Sequence, residues 1–212
     1  MERRELLKMV ALLTGGAVIG GELFLTGCTN TAKNDVGFTP GNISLLDEIG
    51  ETIIPATTTP GAKAAKIGEF MKVYVTDCYA PKDQEVFNNG LVTLQDGFKK
   101  ANNKSFMEAT PQQRHDFLVV LDKEAKAYNT KRDEDDRPKR EAQEKLNSTI
   151  SWKDQKVFEG QPNHYYTMLK QLTLLGFFTS KTGMTETLRH VAVPGKYDGN
   201  VAYVKGEKAW AE

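Results

Sequence analysis

Asn163-His164-Tyr165-Tyr166-Thr167-Met168-Leu169-Lys170-Gln171-Leu172-Thr173-Leu174-Leu175-Gly176-Phe177-Phe178 follows Pro162 and carries Lys170 as its only charge. Tyr165, Met168, Leu169, Leu172, Leu175 and Phe178 recur at steps of three and four, so the stretch reads as a helix, and as the most buried one in the chain. The same period recurs upstream. Ser44 is placed as an N-cap ahead of Leu45, Leu46, Ile49, Ile53 and Ile54, and Pro55 stops that helix. A second helix is expected from about Ala64 to Tyr79, with Ile67, Phe70, Met71, Tyr74 and Cys78 on one side. A third starts near Pro81-Lys82-Asp83 and carries Phe87, Gly90, Leu91, Leu94 and Phe98. The fourth has the clearest start: Thr110 as N-cap, Pro111 in the first turn and Gln113 where a capping box wants Glu or Gln. Phe117, Leu118, Leu121, Ala125 and Tyr128 line one of its faces. The expectation is an all-α fold: one helical domain of about five to seven helices with an irregular C-terminal arm.

Between these helices lie two kinds of connection. Pro55-Ala56-Thr57-Thr58-Thr59-Pro60-Gly61-Ala62 holds prolines and a glycine in close order, which predicts a stiff, turn-forming loop. Thr130 to Asn147 is almost entirely charged with mixed signs, and reads as a flexible solvated loop or a surface helix. Downstream, Gly183 opens one more short helix through Leu188 to His190. Val193-Pro194-Gly195-Lys196-Tyr197-Asp198-Gly199-Asn200 then breaks into turns.

The N-terminus predicts processing rather than fold. Glu2-Arg3-Arg4-Glu5-Leu6-Leu7-Lys8 is close to the twin-arginine export consensus, with Arg3 and Arg4 as its core. A glycine-broken apolar run from Met9 to Leu25 follows and closes on Leu25-Thr26-Gly27-Cys28, a lipoprotein cleavage and acylation site at Cys28. A plain lipoprotein signal of the unfolded-chain route and a transmembrane anchor are the rival readings of these residues. The expected organisation is therefore a signal peptide at 1–27, a lipidated cysteine with a polar tether at 28–42, and the helical domain at 43–212. Diacylglycerol on Cys28 would hold the protein at a membrane on the periplasmic side of the cell envelope.

Composition excludes other roles. Lys plus Arg equal Asp plus Glu at 28 each, so neither nucleic acid nor an acidic surface is an expected partner. With Cys28 acylated, Cys78 stands alone; it is expected to be a buried small hydrophobe rather than a redox thiol, and no intrachain disulfide can form. His115, His164 and His190 lie on separate segments without a second ligand at helical spacing. No haem-attachment, dinucleotide-binding or nucleophile-elbow motif occurs, so no catalytic, cofactor-binding or metal residue is expected.

Two blocks resemble a known family. Leu46-Asp47-Glu48-Ile49, Ile53-Ile54-Pro55-Ala56-Thr57, Thr59-Pro60-Gly61-Ala62 and Thr76-Asp77-Cys78-Tyr79 are similar to the gluconate 2-dehydrogenase subunit 3 family. So are Leu169 to Ser180 and Val193 to Gly199. The resemblance implies a small, non-catalytic subunit of an oxidoreductase complex. The implied partner is a flavoprotein of the glucose-methanol-choline (GMC) type, which holds FAD and oxidises sugars, sugar acids or polyols. A cytochrome c subunit is a further implied partner, and family members commonly carry the twin-arginine signal for the complex. The charged segment around Asp133 matches nothing in that resemblance, and Asn200 stands where some relatives place a cysteine. The alternative is a self-sufficient helical lipoprotein acting as a binding or scaffold module. For a partner interface the sequence offers Pro55, Thr59, Pro60 and Gly61 with Pro194, Gly195, Lys196 and Tyr197, because elements fixed by proline and glycine lose little entropy on docking.

Overall fold

The computed structural model describes residues 38–193, 195–196 and 198–211. The chain divides into Met1–Thr39 and Pro40–Glu212, and all the helices named here belong to the second unit. They are α1 Pro40–Ile53, α2 Ile67–Cys78, α3 Pro81–Asn102, α4 Pro111–Asn147 and α5 Tyr165–Thr179. Among the described residues there is no strand, only one backbone bridge between Arg189 and Trp210. The all-α expectation holds.

The helix period explains the assembly. α5 packs against each of α1 to α4, burying Tyr166, Met168, Leu169, Leu172, Thr173 and Phe177. Facing it are Leu46 and Ile49 of α1, Ile67 and Met71 of α2, Phe87, Leu91, Leu94 and Phe98 of α3, and Leu118 and Leu121 of α4, all withdrawn from solvent. Small residues set the closest approaches. A Cβ on Gly176 would lie 2.5 Å from Cδ1 of Phe70, and one on Gly68 would lie 2.4 Å from the carbonyl oxygen of Ile43. Polar contacts fix the register of α5 on α4: Lys170 Nζ donates to Asp122 Oδ1 at 2.8 Å, and Asn129 Nδ2 donates to Thr167 Oγ1 at 2.8 Å.

Four expectations are corrected. α1 starts at Pro40, so Pro40 to Asn42 belong to a helix and not to a tether. Proline at a helix start has its φ already set and lacks an N–H that would go unused there. Ser44 is therefore inside α1, and its hydroxyl donates back to the Pro40 carbonyl at 3.0 Å instead of capping. The second helix is broken: Ala62–Ala65 forms a tight turn, Lys66 takes the left-handed conformation at φ 54°, and α2 begins only at Ile67. Its first turn is capped from α1, where Asp47 Oδ1 accepts the Gly68 N–H at 2.8 Å. Cys78 is exposed. The inward place at that end of α2 is taken by Tyr79, packed edge-on to Phe87 and Tyr74 at ring separations of 6.4 and 5.8 Å.

The fourth correction concerns the end of the fourth helix, since the charged segment takes the surface-helix form of its two readings and continues α4. The capping box at Thr110 and Gln113 is present, and α4 then runs unbroken past Pro138 to Asn147. Its polar residues are not merely solvated, because they hold the chain as it returns towards α5. Asn147 donates to the Lys156 carbonyl at 2.8 Å and accepts the Lys156 N–H at 3.2 Å. Asp136 Oδ2 accepts the Gln161 N–H at 2.8 Å, and Asn129 Oδ1 accepts the His164 N–H at 3.0 Å. Arg132 Nη1 donates to Asn163 Oδ1. Asp136 is only 6% exposed, and the Gln161 N–H together with Lys139 holds its carboxyl below the usual range.

Asp136→Ala is expected to free the return segment while leaving the helical core intact. Hydrogen exchange should quicken at Gln161 and its neighbours, with helical circular dichroism unchanged. Unaltered exchange there would show that the Asp136 contact is dispensable.

Candidate partner-docking surface

The stiffness of the Pro55–Ala62 loop comes from more than its prolines. α1 ends as Ile54 donates to the Gly50 carbonyl at 2.8 Å, and Ala62 closes the base of the loop by donating to the Ile54 carbonyl at 2.9 Å. Glu51, in the last turn of α1, reaches through the loop. Its Oε1 accepts the Ala56 N–H at 2.8 Å and its Oε2 the Lys63 N–H at 2.9 Å. Gly61 makes room for that carboxylate, since a Cβ there would sit 2.3 Å from Oε1 and 2.6 Å from the Ala56 nitrogen. One glutamate thus supplies acceptors to two backbone donors that lie seven residues apart across the loop.

Within the loop, Pro55 to Thr58 face solvent, Thr59 and Pro60 are half-buried and Gly61 is buried. Of the four loop residues proposed for docking, only Pro55 is thus fully presented. Glu51 was not foreseen. The sequence signal that could have found it is an acid in the last turn before proline, with a glycine ten residues on.

The second proposed element is built differently. Arg189 N–H donates to the Ala209 carbonyl at 2.8 Å and Ala211 N–H to the Arg189 carbonyl at 3.0 Å. The Arg189 guanidinium lies 3.7 Å from the centre of the Trp210 ring and 3.2 Å from Glu207 Oε2. These contacts close the base of the C-terminal arm. Farther out, Gly195 takes φ +74° with open space around it, and Lys196 pairs with Asp198 at 3.5 Å. Pro194 and Tyr197 lie outside the described residues, as do Arg3, Arg4 and Cys28. The hydrogen bonds of the loop run to α1 and to the turn after it, and the ion pair of Lys196 is local, so no polar contact described joins the two elements.

His115 and His190 are exposed, whereas His164 caps α5: its Nδ1 accepts the Tyr166 N–H at 3.2 Å and its ring stacks on Tyr165 at 4.4 Å. Burial holds its pKa below the ordinary histidine value. Among the described residues no group of three or more His, Cys, Asp or Glu could hold a metal ion, and no helix is long and apolar enough to cross a membrane.

A family model described as gluconate 2-dehydrogenase subunit 3 matches residues 40–195. The chain belongs to this family. The match opens at the first residue of α1 and ends in the turn at Gly195, so it takes in the Pro55–Ala62 loop, all of α4 and all of α5. Family membership makes the chain a small subunit of a dehydrogenase complex. No curated protein and no solved structure gives a significant match.

Proposed function

We propose that this chain is the non-catalytic small subunit of a periplasmic, membrane-associated FAD-dependent dehydrogenase of the GMC type. The complex would oxidise a sugar, sugar acid or polyol and pass electrons onward, with a cytochrome c subunit as one acceptor. In this reading the small subunit carries the export signal, supports assembly of the flavoprotein and anchors it through lipid on Cys28. The observation that carries the proposal is the family match over residues 40–195 standing behind Arg3-Arg4 and Leu25-Thr26-Gly27-Cys28. FAD belongs to the partner, and a flavoprotein that acquires its cofactor in the cytoplasm has to leave the cell interior already folded. A subunit that binds it there and carries a twin-arginine signal provides that route. The Glu51-pinned loop at Pro55–Ala62 and the turn at Pro194–Tyr197 remain the docking elements proposed on entropic grounds.

Arg3→Lys with Arg4→Lys tests this. The double variant is expected to leave both this chain and the flavin-containing partner in the cytoplasm, read by fractionation and flavin fluorescence. Normal export and acylation of the variant would exclude the folded-cargo route, because an ordinary signal accepts either base. Capture from detergent-solubilised membranes without any flavoprotein would favour a self-sufficient scaffold lipoprotein instead.

A further inference from the structure

α5 is apolar on most of its circumference, a pattern that belongs to a helix buried on nearly every side. Yet Leu174, Leu175 and Phe178 are each about 40% exposed, and with exposed Gln171 they follow the i, i+3, i+4, i+7 spacing of one helical stripe. Lys170, the single charge of α5, is turned away to Asp122. A contiguous apolar face of this kind marks an interaction surface.

The stripe borders a groove of about 350 Å³ between α2, α3 and α5, whose lining includes Tyr74, Tyr79, Asp83, Asn163, Gln171 and Leu175. Its electrostatics are one-sided. No ion pair or side-chain hydrogen bond among those described engages the Asp83 carboxylate, and the nearby cations are committed elsewhere. Lys82 binds Glu159 and the Gly160 carbonyl, and Arg132 binds Asp133 and Asn163. Burial, with Tyr74 and Asp83 adding to it, pushes the Tyr79 hydroxyl up to about 12, so Tyr79 adds a neutral ring and not a second anion. A carboxylate flanked by tyrosine rings is a receptor for a cation, and arginine suits it best because it pairs with the carboxylate and stacks on the rings.

We propose that the catalytic dehydrogenase subunit covers this face, laying apolar side chains on Leu174, Leu175 and Phe178 and inserting one arginine or lysine into the groove against Asp83, Tyr74 and Tyr79. The proposal rests on the reading of this chain as a dehydrogenase subunit and adds a docking surface distinct from the Pro55–Ala62 loop. Charge complementarity selects a basic anchor. The apolar surround keeps water from it, as in the centre of protein interfaces generally.

The test is reconstitution of the full-length subunit with the flavoprotein released from solubilised membranes, measuring Kd at low and high salt. Asp83→Lys is expected to weaken binding by at least about tenfold, and Leu174→Gln with Phe178→Gln by a similar factor. Asp83→Asn should weaken it less and flatten its salt dependence. Asp83 lies in the first turn of α3, where a carboxylate also favours the helix dipole. Gln171→Lys therefore serves as a second variant: it is exposed, leaves the fold alone and should still repel the partner's cation. Binding at the wild-type level by both Asp83→Lys and Gln171→Lys would overturn the proposal. So would an α5 double variant that binds the flavoprotein normally but splits a homodimer of the isolated subunit. If the unaltered subunit captures no flavoprotein, it is the dehydrogenase reading that fails, whatever the variants do.

Discussion

Gly90→Ala is expected to destabilise the protein and Gly90→Leu to unfold it, although both replacements improve the helix propensity of α3 by up to about 1 kcal/mol. A Cβ at Gly90 would stand 2.2 Å from both Cβ and Cγ of Tyr165. Those atoms are the root of the side chain and cannot swing aside. Tyr165 opens α5, and its ring is stacked on His164. Relief therefore requires α3 and α5 to move apart, loosening Leu91, Leu94 and Leu169, each of which is at most 1% exposed. Overpacking of this kind costs about 1–3 kcal/mol or more, so the alanine variant should lose about 2 kcal/mol net, a fall in Tm of roughly 5 °C for a domain this size. Leucine adds a branched side chain to the same gap and should exceed about 4 kcal/mol, a large share of the stability of an ordinary domain.

Gly97 gives the matching control on the same helix. A Cβ there meets only Phe117 Cζ at 3.6 Å, an ordinary contact, so Gly97→Ala should raise stability by about 0.5–1 kcal/mol. Opposite signs for two glycine-to-alanine changes in α3, read by thermal or urea unfolding, isolate the close helix approach from propensity. If both changes stabilise, the approach of Gly90 to Tyr165 is looser than described.

Those approaches also mark where sequence reading stops. The starts of α3 and α4 were legible because Pro81, Thr110, Pro111 and Gln113 act within one turn. Lys66 was not, since its left-handed conformation answers to Asp47 on another helix, which caps the Gly68 N–H. Nor was the role of Asn129, Arg132, Asp136 and Asn147: each sits in a run of polar residues whose composition reads as solvated surface, and only the returning chain turns them into a ladder. The same limit applies to the docking surface. Prolines announced a stiff loop at Pro55–Ala62, while the Glu51 carboxylate inside it bridges residues that are near only in the fold. On α5, periodicity ranked Leu175 and Phe178 with the core, because a side chain awaiting a partner's core and one in the chain's own core have the same apolar character.

Arg114→Met is the substitution expected to do most damage among polar residues, about 3 kcal/mol, because one guanidinium joins three elements. Its Nη1 donates to Glu48 Oε2 at 2.5 Å, tying α4 to α1. Its Nε and Nη2 donate to the carbonyls of Phe106 and Met107 at 2.8 Å each, holding the turn between α3 and α4, and its plane lies 5.4 Å from the centre of the Phe106 ring. Arg114 and Glu48 side chains are each only 15% exposed, so solvent screens the pair weakly, and deleting one member leaves the other with part of its desolvation uncompensated. Methionine keeps the volume and removes every donor. Arg114→Lys should recover less than half of the loss, since an ammonium cannot reach the carboxylate and both carbonyls at once. The pH dependence separates the ion pair from the carbonyl contacts. Burial raises the Glu48 pKa, but Lys63 and Arg114 outweigh it and hold the carboxyl below its ordinary value. A carboxyl with a lowered folded pKa contributes stability that is present above the unfolded value, about 4.3, and is lost as pH falls through the folded one. The gap between wild type and Arg114→Met, measured by urea unfolding at pH 7, 5, 4 and 3, should therefore hold steady to about pH 5 and narrow below it. A gap that stays constant down to pH 3 would assign the whole loss to the Phe106 and Met107 carbonyls and leave the bond to Glu48 without net weight.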